Sequence, residues 1–342
     1  MNAPPSPRSA PKRAPGQTVE LRGPVFIGGL AHTGKTPLRI ALAAHPRLSM
    51  TRGTAMWTRH HGRYGNLAHR DNADRCIAAL ARDPAIIALD TDVVRVRRDF
   101  ARGPAEYARL FALVHEQHAE RVGATRWGDQ LRGVEHVADA ILADLPNARM
   151  IHMVRDPRDR RPRTTSGRRD SVGRLGWDTA RWIASAELAA RNAARYRERH
   201  RVVRYEDLLA RPGAVLRDVC AFIGEEYDDA LLRAWWTTSA ATAEEPSSAD
   251  GQRDRFACAF VERRAARQLV ALGYDIISPA TDPRPFDARR VVNRGAMILH
   301  DVRARFRSSA AAGGAAPRWR HNAPSPTLYS LFRRRHDVHG EQ

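Results

Sequence analysis

The sequence predicts an α/β protein built on a parallel sheet flanked by helices. Three observations carry this. Val25–Pro46 reads as a short apolar run, a glycine-bearing turn and then an apolar run at helical spacing. Met150–Val154 and Arg201–Arg204 repeat the short apolar run, each between segments of helical periodicity. Short strands alternating with helices favour crossover connections, hence parallel strands covered on both faces. In such sheets a ligand sits at the carboxyl ends of the strands.

The first stretch, VFIGGLAHTGKTPLRIALAAHP, holds the densest chemistry. Val25, Phe26 and Ile27 form the strand; Gly28, Gly29 and Gly34 shape the turn; Leu38, Ile40 and Leu42 form the apolar run of the helix. A turn of this kind points backbone N–H groups inward, and the helix start adds partial positive charge. Thr33 and Thr36 add hydroxyls, His32 and Lys35 donors or charge. Gly29–Thr36 also satisfies G-x-x-x-x-G-K-T, in which the lysine meets the outer phosphates and the threonine meets Mg²⁺. The pattern predicts phosphate binding; a glycine-rich turn in any α/β domain is the bland alternative.

At 342 residues the chain has ample length for a core. No apolar run approaches the roughly 18 residues of a membrane span. Cys76, Cys220 and Cys258 lack metal-ligand spacing and argue against a disulfide framework, which suits a reducing cytoplasm. Net charge is +19, with arginine far ahead of lysine. That charge alone is compatible with nucleic-acid binding, but no helix-turn-helix, zinc-finger or RNA-recognition pattern accompanies it, so dedicated nucleic-acid binding is not expected.

Residues 1–22 are rich in Pro, Ala and Arg and have no apolar h-region, so they read as a disordered leader. Residues 23–276 read as the α/β domain and 277–342 as a basic, partly disordered extension. Within the domain, His45-Pro46 closes the first helix. Leu48–His61 is a candidate cleft lining in which Arg59, His60 and His61 are the titratable or cationic groups. Helices are expected at Ala73–Ala81, Ala105–Val122, Val134–Ala143, Trp177–Arg199, Val215–Ile223, Ala230–Trp236 and Phe260–Leu272. Ile86–Asp90 is an apolar run ending in Asp, as at the metal-binding strand end of P-loop nucleotidases. Thr125–Asp129 reads as a strand and turn. Arg155–Arg174 is a surface loop with eight arginines. Tyr205-Glu206-Asp207 reads as a strand-end turn and helix cap. Arg289–Phe306 reads as a basic amphipathic helix.

Several of these stretches together resemble the sulfotransferase family, which uses 3′-phosphoadenosine 5′-phosphosulfate (PAPS). The opening loop is similar to the family's 5′-phosphosulfate loop. Ile151–Asp159 (IHMVRDPRD) is close to its 3′-phosphate motif. Val203–Leu208 (VRYEDL), Pro212 and Leu216–Gly224 (LRDVCAFIG) match the strand and helix that follow. The resemblance spans roughly Gly23–Tyr274 and implies the P-loop-like sulfotransferase fold. It implies that Gly29, His32, Thr33, Gly34, Lys35 and Thr36 hold the 5′ side and that Arg155, Arg163 and Thr164 hold the 3′-phosphate. Lys35 and His32 then stand beside the leaving oxygen, and no metal is required. His60 and His61, with Asp129 and His136, are candidates for the base that activates a small-molecule or carbohydrate acceptor.

The sequence departs from the family pattern in places. His32 stands at the basic loop position and Lys35 at a hydroxyl position. Arg163 replaces a serine, Gln130-Leu131-Arg132 replaces Lys-Thr-Pro, and Gly251-Gln252-Arg253 is the nearest counterpart of the C-terminal clamp. Two alternatives therefore stay open: a P-loop kinase or nucleotidase using MgATP, and a weakly active homologue that binds anions or partners.

Overall fold

The computed structural model describes residues 23–131, 133–159, 173–242, 255–277 and 288–312. Its first half runs β1 (Val25–Gly28), α1 (Lys35–Ala43), β2 (Leu48–Thr51), α2 (Met56–Arg59), α3 (Arg70–Leu80), α4 (Pro84–Ile87), α5 (Val93–Phe100), α6 (Tyr107–Arg121) and β3 (Arg126–Gln130). A 3₁₀ turn (Val134–His136), α7 (Ala138–Asp144) and β4 (Arg149–Val154) follow. Then come α8 (Arg174–Arg195), β5 (His200–Arg204), α9 (Tyr205–Ala210), α10 (Pro212–Ile223), α11 (Asp229–Thr242), α12 (Arg255–Ala271) and α13 (Ala288–Ala312).

The five strands form one parallel sheet in the order β2-β3-β1-β4-β5. The chain leaves β1 for the β2 edge, returns through β3, and crosses to β4 on the far side. β1 therefore lies between β3 and β4, pairing Phe26 with Asp129 on one side and Gly28 with His152 on the other. A reversal of strand order of this kind opens a crevice at the strand ends, where ligands bind.

The period of two along the strands divides the core. Val25, Ile27, Ile151 and Met153 face one side, under Leu38 and Leu42 of α1, Leu216 and Val219 of α10 and Trp235 of α11. Phe26 and Met150 face the other side, with Trp57, Trp127, Leu110 and Phe111. The Phe26 ring stands edge-on to Trp57 and Trp127 at centroid distances of 6.5 and 5.7 Å. A strand buried on both faces reads as a continuous apolar run, which is why Val25–Ile27 shows no alternation.

Two expectations need correction. Ile86–Asp90 is not a strand ending in a metal-type aspartate. Pro84 takes the first helical position and the Asp83 carboxylate accepts from the Ala85 N–H at 3.0 Å, so the run begins α4. Asp90 lies beyond it at φ 52, exposed and ion-paired with Arg121 at 2.7 Å. The helix expected over Val134–Ala143 is broken: Val137, at φ −115 and ψ 11, separates the 3₁₀ turn from α7. The basic helix expected at Arg289–Phe306 is α13, which packs on α8.

One fold feature predicts a pH dependence. His200 is buried, and neither ring nitrogen has a hydrogen-bond partner. Burial pulls its pKa down to about 3, helped by the nearby His152. The unfolded chain therefore binds the proton more tightly, and stability is lost as pH falls from about 6.5 towards that value. Urea titration is expected to show His200→Leu losing less stability than the parent between neutral pH and pH ~5, by up to about 1 kcal/mol per pH unit. Identical slopes would contradict the assignment.

Candidate functional site

The site forms where β1 ends. Three backbone positions turn the chain from strand to helix through the left-handed region: Gly29 (φ 114), His32 (φ 61) and Gly34 (φ 82). Glycine is required at the outer two. A Cβ on Gly29 would stand 2.2 Å from the Met153 carbonyl oxygen, and one on Gly34 would stand 2.1 Å from the Tyr205 ring. His32 has a Cβ and pays about 1 kcal/mol for that conformation, a cost typical of functional loops.

The result is a set of free donors. The backbone N–H groups of Leu30, Ala31, Thr33, Gly34 and Thr36 donate to no protein acceptor among the described residues. Intrahelical bonding begins with the Leu38 N–H to the Gly34 carbonyl at 3.2 Å. Open amides at a helix start form an anion cradle.

The side chains divide between bracing and binding. The buried Thr33 hydroxyl donates to the Leu30 carbonyl at 2.8 Å and closes the turn. The exposed Thr36 accepts from the Gln130 amide at 3.4 Å, which ties α1 to the end of β3. Lys35 is buried, and its ammonium donates to the carbonyls of Gly29, at 2.5 Å, and Leu30. It also acts on Glu135 below the loop. Burial pushes the Glu135 carboxyl up, but the charges of His152, His136 and Lys35 outweigh this and hold it low. Glu135 Oε2 has no hydrogen-bond partner, so Lys35 sits between the loop's carbonyls and a buried negative charge.

A second cation stands at the end of β4. The Arg155 guanidinium donates to the His32 carbonyl at 3.3 Å and lies over the Tyr205 ring at 4.9 Å. The Trp182 indole N–H fixes its backbone carbonyl at 2.9 Å. Among the described residues Arg155 has no carboxylate partner. Arg158, three residues on, is the opposite case: it is buried and held by Asp156 and Glu262, which raise its pKa. Of the two arginines, one is committed to the fold and one is available to an anion.

Carboxylates hold this geometry from behind. Glu206 accepts from the Asp156 N–H at 2.8 Å and the Tyr274 hydroxyl at 2.9 Å, joining β4, α9 and the segment after α12. Asp129, fully buried, accepts from the Thr51 hydroxyl at 2.7 Å, the Gly53 N–H at 3.0 Å, the Thr54 N–H at 3.2 Å and the Thr54 hydroxyl at 2.5 Å. It anchors the loop after β2 and has no oxygen left for a metal or an acceptor proton.

Gly29, His32, Thr33, Gly34, Lys35, Thr36 and Arg155 thus converge at the ends of β1 and β4. His60 and His61 do not touch that cluster among the described residues. His60 hydrogen-bonds Asp83 at 3.1 Å and Tyr64 at 3.2 Å, and burial lowers its pKa. His61 stacks on Trp57 at 4.9 Å and approaches Asp144 at 3.3 Å. Arg163, Thr164 and Gly251–Arg253 lie outside the described residues. Tyr205 and Glu135 are the contributors that sequence reasoning missed. Tyr205 follows β5 directly, at the carboxyl edge of the sheet, which is a usable signal. Glu135 carries none, since a lone glutamate in a 3₁₀ turn has no pattern.

The sulfotransferase family profile matches residues 24–229. The chain belongs to this family. Solved structures similar to this sulfotransferase include the sulfotransferase domain of the Synechococcus PCC 7002 olefin synthase, at 17% identity over 83% of this chain and 98% of that one, TM-score 0.41. The Alicyclobacillus acidocaldarius sulfotransferase is 19% identical over 74% of this chain and 97% of its own, TM-score 0.41. Sulfotransferase STF9 of Mycobacterium avium is 15% identical over 76% and 79%, TM-score 0.43. None of the curated proteins compared matches the chain. The family match accords with the parallel α/β sheet described above.

The glycine requirement in this sulfotransferase is directly testable. Gly29→Ala is expected to cost at least ~2 kcal/mol in a denaturant titration, because it adds both a left-handed φ penalty and a clash with β4 backbone. A change below about 0.5 kcal/mol would show that the loop relaxes freely.

Proposed function

We propose that this sulfotransferase moves a sulfuryl group from PAPS to a hydroxyl or amine of a small-molecule or carbohydrate acceptor. The observation that carries the reading is the pair of unlike anion sites on adjacent strands: an amide cradle with a buried lysine, and an arginine that has no carboxylate partner among the described residues. PAPS needs that pairing, since its 5′-phosphosulfate and 3′-phosphate are separate anions.

The roles follow from chemistry. PAPS supplies the sulfuryl group, and adenosine 3′,5′-bisphosphate leaves. The loop amides bind the 5′ side through many short dipoles. Arg155 meets the 3′-phosphate through a charge-assisted pair of hydrogen bonds, its plane kept by Tyr205. Lys35 supplies positive charge where it builds on the leaving oxygen, which lowers the barrier. The Gly29 and Leu30 carbonyls that it touches are neutral, and an anion attracts the ammonium more strongly than they do. His32, exposed on the same loop, lies on the leaving-group side.

Phosphoryl transfer from MgATP is the reading that G-x-x-x-x-G-K-T favours. The aspartate read for its metal, Asp90, is ion-paired with Arg121 at the surface beyond a helix rather than at a strand end.

Calorimetry with Arg155→Ala tests the assignment. Affinity for adenosine 3′,5′-bisphosphate is expected to fall about 10–100-fold, the loss of one charge-assisted pair. Adenosine 5′-phosphosulfate, which lacks the 3′-phosphate, is expected to bind unchanged. An equal loss for both ligands, or for neither, would overturn the placement. Lys35→Met is expected to lower the rate of sulfuryl transfer by at least ~100-fold while changing bisphosphate affinity less, as for a donor acting on transition-state charge.

A further inference from the structure

Helix α13 carries its polar residues inward and its larger aliphatic residues outward. Against α8 it sets Asn293, Ala296 and His300, all buried. Asn293 Oδ1 accepts from the Gly176 N–H at 2.8 Å, and His300 stands edge-on to Trp177 at 5.0 Å. The two helices touch backbone to backbone: a Cβ on Gly176 would lie 1.9 Å from the Asn293 carbonyl oxygen. On the other side Val291, Ile298 and Val302 are 56, 56 and 41% exposed. Their spacing of seven and four places them in one stripe along the helix, with Gly295 between. A helix that served only the fold would turn this stripe inward.

The surroundings of the stripe are cationic. α13 holds six arginines against one aspartate. Arg294 is exposed on it, and Arg263 and Arg264 are exposed on neighbouring α12. None of these three has a carboxylate partner among the described residues. Burial, then repulsion from Arg294 and Arg263, lowers the pKa of Arg264. The patch therefore favours an anionic occupant and disfavours a second copy of itself, which would set these arginines against one another. A nucleic acid would engage the arginines but leave three aliphatic side chains in water.

We propose that the outer face of α13, with Arg263 and Arg264 of α12, docks on an anionic lipid bilayer. The aliphatic stripe enters the headgroup boundary and the arginines meet lipid phosphates. Attachment is peripheral, because no described helix is long and apolar enough to cross a membrane. The proposal is independent of the donor-site assignment, which concerns other residues.

The test is co-sedimentation of the full chain with phosphatidylglycerol-containing vesicles and with pure phosphatidylcholine vesicles, at low and high salt. Salt-sensitive binding to the anionic vesicles alone is expected. Ile298→Asp and, separately, Arg263→Gln with Arg294→Gln are each expected to weaken it about tenfold or more. Unchanged melting temperatures in these surface variants would show that the fold persists. Absence of vesicle binding, or binding indifferent to Ile298→Asp, would overturn the proposal. So would a dimer in solution that Ile298→Asp dissolves, or duplex DNA binding that replaces vesicle binding.

Discussion

The close approach of Gly29 to the Met153 carbonyl is the constraint on which the site depends. β1 lies between β3 and β4, and where the chain leaves it Gly29 passes close against the end of β4. At 2.2 Å from a would-be Cβ, no side chain fits that passage. The left-handed turn that results leaves the amides of Leu30, Ala31, Gly34 and Thr36 without an acceptor among the described residues and starts α1 beside them. The same passage brings the His32 carbonyl to Arg155, so the loop and the end of β4 are tied by a hydrogen bond rather than merely near each other.

Charge around the crevice is arranged by commitment. Arg158 beside the crevice serves the fold through Asp156 and Glu262, as Arg126 does through Glu225 at the opposite end of the sheet. Buried carboxylates do likewise, each surrounded by donors or charge, because an unpaired buried ion costs several kcal/mol. Against this background Arg155 stands out: it rests on the His32 and Asp159 carbonyls and on the Tyr205 ring, with no carboxylate partner among the described residues. Histidine burial follows the same economy: His115, stacked on Trp127 at 4.5 Å, is pulled down to about 4 by burial and stays neutral at physiological pH.

How far these features were legible in the sequence depends on the range of the interaction. The loop was legible because its glycines and lysine lie within eight consecutive residues and the strand before them is purely apolar. Arg155 was legible through its motif at the end of a second apolar run. The asymmetry between Arg155 and Arg158 was not, because Asp156 is adjacent to both and the second carboxylate on Arg158, Glu262, lies more than a hundred residues away. Asp129 illustrates the same limit. As sequence it is a candidate base, but its donors come from the loop after β2, far back in the chain. Ile86–Asp90 misled for a local reason: a Pro-initiated, Asp-capped turn and a short buried strand share the same apolar run.

The central claim is that two unlike anion sites flank β1 and β4 and receive a donor without a metal. Calorimetry of adenosine 3′,5′-bisphosphate against ATP, each with and without Mg²⁺, tests it most directly. The account predicts tight bisphosphate binding that is indifferent to Mg²⁺ and weaker binding of ATP. Preference for MgATP, or failure of the bisphosphate to bind, would contradict it.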